Sequence, residues 1–447
     1  MKSEQQYIDL YNQAHDLICR HSSPLMNARR QEAYDAFLQS GFPTRQVERY
    51  KYTDVGQVFA LDYGLNLGRV DIPVNPYEVF RCDVPNLSTS LYFMLNDQFY
   101  DKVLPKAALP KGVIITSLGK ASVQYAGLVE SCYGRLARSG KDAINAFNTM
   151  LAQDGLFIYV PKGVVVERTI QIVNILRADV NLMVNRRMLI LLEESAQARI
   201  LVCDHAIDDK EFLSTQVAEV FLGENARLEL YELEENHERC RRMANMYVEM
   251  QANSHAVLDS ITLNNGLTRN RTDVRLVGQG AEVYMNGCAI ADKQQHIDNN
   301  TLIDHVAPDC QSHELYKYVL DDEAVGAFAG RILVREGAQH TVSKERNANL
   351  CASRTARMYA QPMLEIYADD VKCSHGSTVG QLGDSALFYM RQRGIPEEEA
   401  RMLLKFAFVG EVIDSIPMES LRDRLHHLAE KRFCGELSKC KGCKLCK

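Results

Sequence analysis

The sequence predicts a mainly β protein: a parallel β-helix (solenoid) core flanked by helical regions at both ends. Three observations predict it. From Leu156 onward the chain breaks into short runs rich in β-branched side chains, among them "LFIYV", "GVVVERTIQIVNI", "RMLILLEE", "QVAEVFL" and "AVLDSITL", bounded by Gly, Asn and Asp. A turn-then-strand unit recurs there, marked by Ala198, Ala226, Ala256, Ala281 and Ala338 at gaps of 28, 30, 25 and 57 residues, the last close to two periods. Helical periodicity, by contrast, is confined to the two ends. A strand repeat of this length is what a coiled solenoid produces, because each turn of chain can bury its apolar face only against the next. A β-sandwich with coincidental turns is the competing architecture.

The elements follow in order. Residues 1–154 form an N-terminal, mainly helical region. In "SEQQYIDLYNQAHDLICR", Tyr7, Ile8, Leu10, Tyr11, Ala14, Leu17 and Ile18 recur at spacings of three and four and make one apolar stripe. A second helix is expected at "RRQEAYDAFLQSGF", stopped by Gly41 and Pro43, and a third at "DAINAFNTMLAQDG". Residues 155–383 form the β-helix core. Residues 384–447 form a C-terminal helical region with a Cys-rich tail. Here "IPEEEARMLLKFAFVGEVIDSI" opens with Pro396 and three glutamates at the positive end of a helix dipole, and carries Met402, Leu403, Phe406, Val409 and Ile413 on one side. A further helix, "MESLRDRLHHLAEKRF", continues through Leu421, Leu425 and Leu428. Helices so placed can cap the open core of a solenoid, or present a face to another protein.

Composition excludes several functions. A net charge of -7 over 447 residues supplies no excess of clustered Lys and Arg to neutralise phosphates, so no nucleic-acid partner is expected. The start lacks the order of a signal peptide and no apolar run reaches the roughly 18 residues of a membrane span. Thirteen cysteines, an odd number scattered along a long chain, favour reduced thiols in a reducing compartment, and a cytoplasmic location is expected. No phosphate loop, nucleophile elbow, HExxH or GxGxxG is present, so any nucleotide hydrolysis must come from a partner.

The densest chemical signal is "QPMLEIYADDVKCSHGSTVGQLGDSALFYMRQRGI", residues 361 to 395. On a strand, Cys373 and His375 project from one face while Ser374 points away. A thiolate beside an imidazole makes two ligands for a soft or borderline metal, half a tetrahedral site, and the rest must come from another coil or another chain. The bland alternative is a buried Cys beside a hydrogen-bonded His, which is also how a second C-x-H, Cys203 and His205, is read. The segment "HIDNNTLIDHVAPDCQSHE" gathers His296, Asp298, His305, Cys310, His313 and Glu314; polar ladders of a solenoid account for it better than a metal cluster does.

The stretch "LEIYADDVKCSHGSTVGQL" with "LFYMRQRGI" resembles the SufB/SufD family of iron-sulfur cluster assembly scaffolds, and is closer to its SufD branch than to SufB, which differs where this chain reads "CSHG". The likeness extends through "GFPTRQVERYKYT", "DGLFIYVPKGVVVE", "QHIDNNTLIDHVAPDCQSHELYK" and "GRILVREGAQHTVSKERNANL". Tyr50 stands where the family usually has Trp, and Tyr318, Ala329, Ser377 and Gly383 also depart from its usual residues. The resemblance implies a right-handed β-helix and a non-catalytic scaffold that pairs with a SufB-like subunit along the β-helix. It further implies that a SufC-like ATPase binds the C-terminal helices, Pro396 to Phe433, that this chain itself binds no nucleotide, and that Cys373 and His375 help build a transient iron-sulfur cluster at the subunit interface. In isolation the chain could form a homodimer.

The tail, Cys434, Cys440, Cys443 and Cys446, has the C-x2-C-x2-C spacing of bacterial ferredoxins without the C-x3 partner and Pro that follow there, so its fourth thiol would be Cys434. It is a candidate accessory metal site, the alternative being a flexible end. A different functional class stays open as well: a β-helix enzyme acting on carbohydrate or acyl substrates.

Overall fold

A computed structural model of the chain describes residues 3–80, 89–105 and 109–435. Its centre is a parallel solenoid of about eight turns. From Leu156–Val160 onward consecutive strands alternate between a ten-stranded and a nine-stranded sheet, and from Leu182–Leu192 onward each pairs with the one two places earlier in the chain. The turns require left-handed backbone, supplied by Ser195, Asn225, Asn253, Gly280 and Asp309, all at positive φ; short polar residues and glycine tolerate that conformation best. The residue that follows is small and buried: Ala196, Ala226, Ser254, Ala281 and Cys310. The alanines picked from the sequence therefore do not share one position. Ala226 and Ala281 follow the turn residue, whereas Ala198 and Ala256 lie two places further on, in the strand.

Inside the rod, aliphatic side chains stack in register. One ladder runs Ile158, Ile190, Val220, Val248, Val274, Ile303 and Ile332, all buried, and each such burial contributes roughly 1.5–3 kcal/mol. Beside it lies a charged network. Arg242 donates to Asp204 (2.5 Å) and Glu232 (2.8 Å), and Arg186 donates to Asp204 (2.9 Å), all buried.

The helical N-terminal region covers the outer face of the nine-stranded sheet. Tyr7, Tyr11, Ile18, Phe37 and Phe147 pack on Met183, Leu213 and Met243 of three successive coils. Helix Arg30–Ser40 ends on Gly41 at φ 60, a conformation that needs glycine. Asp142 caps helix Ala143–Leu151 and accepts from Tyr50 (2.7 Å) and Arg271 (2.7 Å), while Arg269 lies over the Tyr50 ring. Tyr50 thus fills an aromatic position with a hydroxyl that reaches the cap. Among the first 154 residues, Thr89–Leu95 and Gln98–Tyr100 also join the ten-stranded sheet, and Ile114–Ser117 joins the nine-stranded one.

The C-terminal helices Glu397–Asp414 and Glu419–Phe433 do not cap the rod. They lie on the outer face of the ten-stranded sheet, where Val409, Val412, Ile413, Leu421, Leu425 and Leu428 cover Leu201, Tyr231, Ile261 and Cys288. Of the expected stripe, Val409 and Ile413 are buried, while Met402, Leu403 and Phe406 are only partly covered. Arg432 pins the last turn, donating to the Leu263 carbonyl (2.8 Å) and to the Asp292 carboxylate (2.5 and 2.7 Å). Among the described residues no helix is long and apolar enough to cross a membrane.

Candidate functional site

At the C-terminal end of the rod both sheets end on strands with no further partner among the described residues, Arg357–Ile366 and Lys372–Gln381. Unlike the buried strands beneath it, Lys372–Gln381 is exposed almost throughout. Tyr359, Ile366, Tyr367, Val379, Phe388 and Tyr389 are exposed on this coil and on the helix that follows it, Asp384–Gln392. Such an unfinished edge with apolar side chains beside it is a template for strand pairing with another chain.

Cys373 and His375 lie on this edge strand, two residues apart and on one face. Their register partners are Ser343 and Glu345, both buried. The face is the inward one, since Ser377, two places further on, donates to the buried Asn347 (3.0 Å). Cys373 is half-buried and His375 is exposed, so neither is sealed inside the rod. Burial pushes the Cys373 thiol up, only partly offset by a backbone hydrogen bond from Ser343; a metal or a neighbouring cation would be needed to hold it as thiolate.

The lumen changes character behind these two side chains. The ladder ending at His375 reads Ile170, Ile200, Leu230, Leu258, Met285, Glu314, Glu345, His375. Its neighbour ends Ala256, Val283, Ser312, Ser343, Cys373. Two apolar ladders therefore turn polar over the last three coils. Glu314 and Glu345 are both buried, and none of their four carboxylate oxygens has a hydrogen-bond partner. Burial pushes Glu345 up to about 9, the charge of Glu314 adding to it, and burial pushes Glu314 up to about 7. No sequence motif marks this pair, because their alignment depends on coil lengths.

The remaining candidates disperse. His296 faces outward with Asp298, where the Thr53 hydroxyl donates to Asp298 (2.6 Å) and lies 3.2 Å from the imidazole. Thr53 touches carboxylate and imidazole side by side, which fastens the N-terminal segment and is not the relay of a nucleophile. His313 stacks on Tyr284, and His305 points inward to Ser312 (2.9 Å). Cys203 is buried beneath the C-terminal helices and His205 packs against Phe80. Among the described residues no three His, Cys, Asp or Glu side chains are gathered as a closed metal site. Cys434 ends the last helix against Met402 (3.3 Å), and Cys440, Cys443 and Cys446 lie outside the described residues.

His305 yields a pH prediction. Burial pulls its imidazole down to about 4, against roughly 6.5 in an unfolded chain. The unfolded state then binds the extra proton between those values, so stability falls as pH is lowered from about 6.5 towards 4, by about 1.4 kcal/mol per pH unit at most. His305→Asn should flatten that part of the pH profile of the denaturation midpoint.

Fold and site together define a β-solenoid protein with one unfinished end, where a thiol and an imidazole sit beside unpaired strand edges. The chain belongs to the SufBD family of iron-sulfur cluster assembly proteins: residues 1–172 match the SufBD protein N-terminal region and residues 175–408 the SufBD core domain of the SUF system for FeS cluster assembly. It is 26% identical over 413 residues, 90% of each chain, to an iron-sulfur cluster assembly SufBD family protein of Synechocystis. It is 24% identical to the iron-sulfur cluster assembly protein SufD of Bacillus subtilis, over 78% of this chain and 80% of that one. Against SufD of Escherichia coli the identity is 29% over 52% of this chain and 55% of that one.

Proposed function

We propose that this chain is the SufD-type, non-catalytic scaffold of a SufBCD-type complex, pairing with a SufB-like subunit through the unfinished end of its rod. The observation that carries the proposal is the half-site: Cys373 and His375 share one face of an exposed edge strand, and among the described residues no further Cys or His is gathered beside them. A subunit that extends the two sheets would bring its own ligands against this pair, and the nascent cluster, the cargo of the complex, would be held between the chains. The exposed aromatic and aliphatic side chains of the last coil supply apolar area for that contact.

The C-terminal helices, Pro396 to Phe433, are the proposed seat of a SufC-like ATPase. They rest on the middle coils, so movement of the ATPase would act on the rod along its side and leave the terminal edge free for pairing. The competing reading, an enzyme of carbohydrate or acyl substrates, gains no support from the Thr53, His296 and Asp298 grouping.

Co-expression with SufB-like and SufC-like partners should yield a stable complex. Cys373→Ala and His375→Ala should leave that complex intact and reduce maturation of client iron-sulfur enzymes in cells by about tenfold or more, as expected for loss of a ligand. Normal maturation with both variants would show that these residues are not the site.

A further inference from the structure

Among the described residues Glu314, Glu345 and Asp259 are the buried acids with no arginine partner, and of these Asp259 accepts from Asn286 (2.8 Å). Asp142, Asp204, Glu219, Glu232, Asp273 and Asp304 each pair with an arginine. Glu314 and Glu345 pair with none and accept no hydrogen bond. They are register neighbours on adjacent strands, so their carboxyl groups face the lumen together. Across the lumen, Gly330 leaves the room that Glu345 occupies, because a Cβ there would collide with its carboxylate. Thr301, register partner of Gly330, is buried with its hydroxyl towards Glu314, close enough to lower that carboxyl against the effect of burial. His375 is the next rung of the same ladder and is exposed at the mouth.

Two adjacent carboxyl groups buried without a counter-charge are costly as anions, so they either hold their protons or exchange them for a cation that completes the pair. Two carboxylates and a hydroxyl on rigid strands, the remaining positions being open to water, suit a divalent ion of hard character. We infer that Glu314 and Glu345 form a divalent-cation site inside the last coils, beneath His375 on the same ladder, which holds ferrous iron behind the mouth of the rod before the cluster is built. Only the identity of the ion as cluster-bound iron rests on the proposed function; the site itself rests on the carboxylate pair.

The test uses the full chain, with Mn2+ as an electron paramagnetic resonance probe and anaerobic Fe2+ as competitor. The wild type should bind about one Mn2+ per chain, displaced by Fe2+. Glu345→Gln and Glu314→Gln should each weaken binding about tenfold or more. Gly330→Ala, which removes no charge, should weaken it too, and Cys373→Ala should not. Far-ultraviolet circular dichroism and melting of each variant confirm the fold, and Mn2+ should raise the melting temperature of the wild type but not of Glu345→Gln. Absence of a bound ion in the wild type, or unchanged binding in folded Glu345→Gln, overturns the site. If Glu345→Gln binds normally while Cys373→Ala blocks cluster maturation, the cation site fails and the proposed function stands. Weakened binding in Glu345→Gln together with normal maturation in Cys373→Ala and His375→Ala supports the site and removes the proposed function.

Discussion

Glu219→Ala should lower the stability of the chain by about 3–5 kcal/mol, a large part of the roughly 5–15 kcal/mol that holds a domain folded. Glu219 is fully buried and binds four donors. It accepts from the backbone of Gly134 (2.8 Å), Leu136 (2.8 Å) and Ala137 (3.1 Å), and from the Arg187 guanidinium (2.9 Å). Alanine would orphan three amides and leave a buried guanidinium without its counter-charge, which costs far more than the pair itself is worth. Because the amides belong to the loop before helix Ala143–Leu151, the damage should also loosen the N-terminal region from the rod. Guanidinium denaturation gives the magnitude, and Glu219→Gln, which keeps one acceptor oxygen, should fall between the two. A loss below about 1 kcal/mol in Glu219→Ala would mean that water replaces the carboxylate and that the clamp is unimportant.

Arg242→Ala should be of similar size, with a different response to acid. Burial alone would push Asp204 up, but Arg186 and Arg242 outweigh it and hold the carboxyl below its ordinary range. In the wild type this contact is present above about pH 4, the unfolded value, and is lost as pH falls through the lower folded one. Without Arg242, the carboxylates of Asp204, Glu232 and Glu234 face one another with Arg186 as the remaining partner of Asp204. Asp204 should then rise above its unfolded value, which reverses its sign, and Glu234, which burial already pushes up, should rise further. We expect a loss of about 3–5 kcal/mol at pH 7 that is partly recovered towards pH 5 as the carboxyl groups protonate. A variant equally weak at both values would contradict this account of the lumen network.

Much of this molecule is legible in its sequence because its signals are local. Strand texture, the helix periodicities and the common face of Cys373 and His375 all depend on neighbours a few residues apart. The stacking of coils does not. Coil length varies, with Asp259 27 residues from its contact Asn286 and Ser312 31 residues from Ser343, so no fixed period aligns Met285 with Glu314, Glu345 and His375. For the same reason the alanine repeat mixed two ladders. The course of the C-terminal helices escaped as well: Met402, Leu403, Phe406, Val409 and Ile413 announce an apolar stripe, but a stripe does not say whether the end or the side of a rod will cover it.

The two ends of the rod differ in kind. At the first, short antiparallel strands, Gln98–Tyr100 on one sheet and Ile114–Ser117 on the other, interrupt the parallel pattern; at the second, both sheets stop on bare parallel edges. Ends that differ in this way cannot continue one strand pattern from copy to copy, so the rod has no head-to-tail route to growth into a fibre.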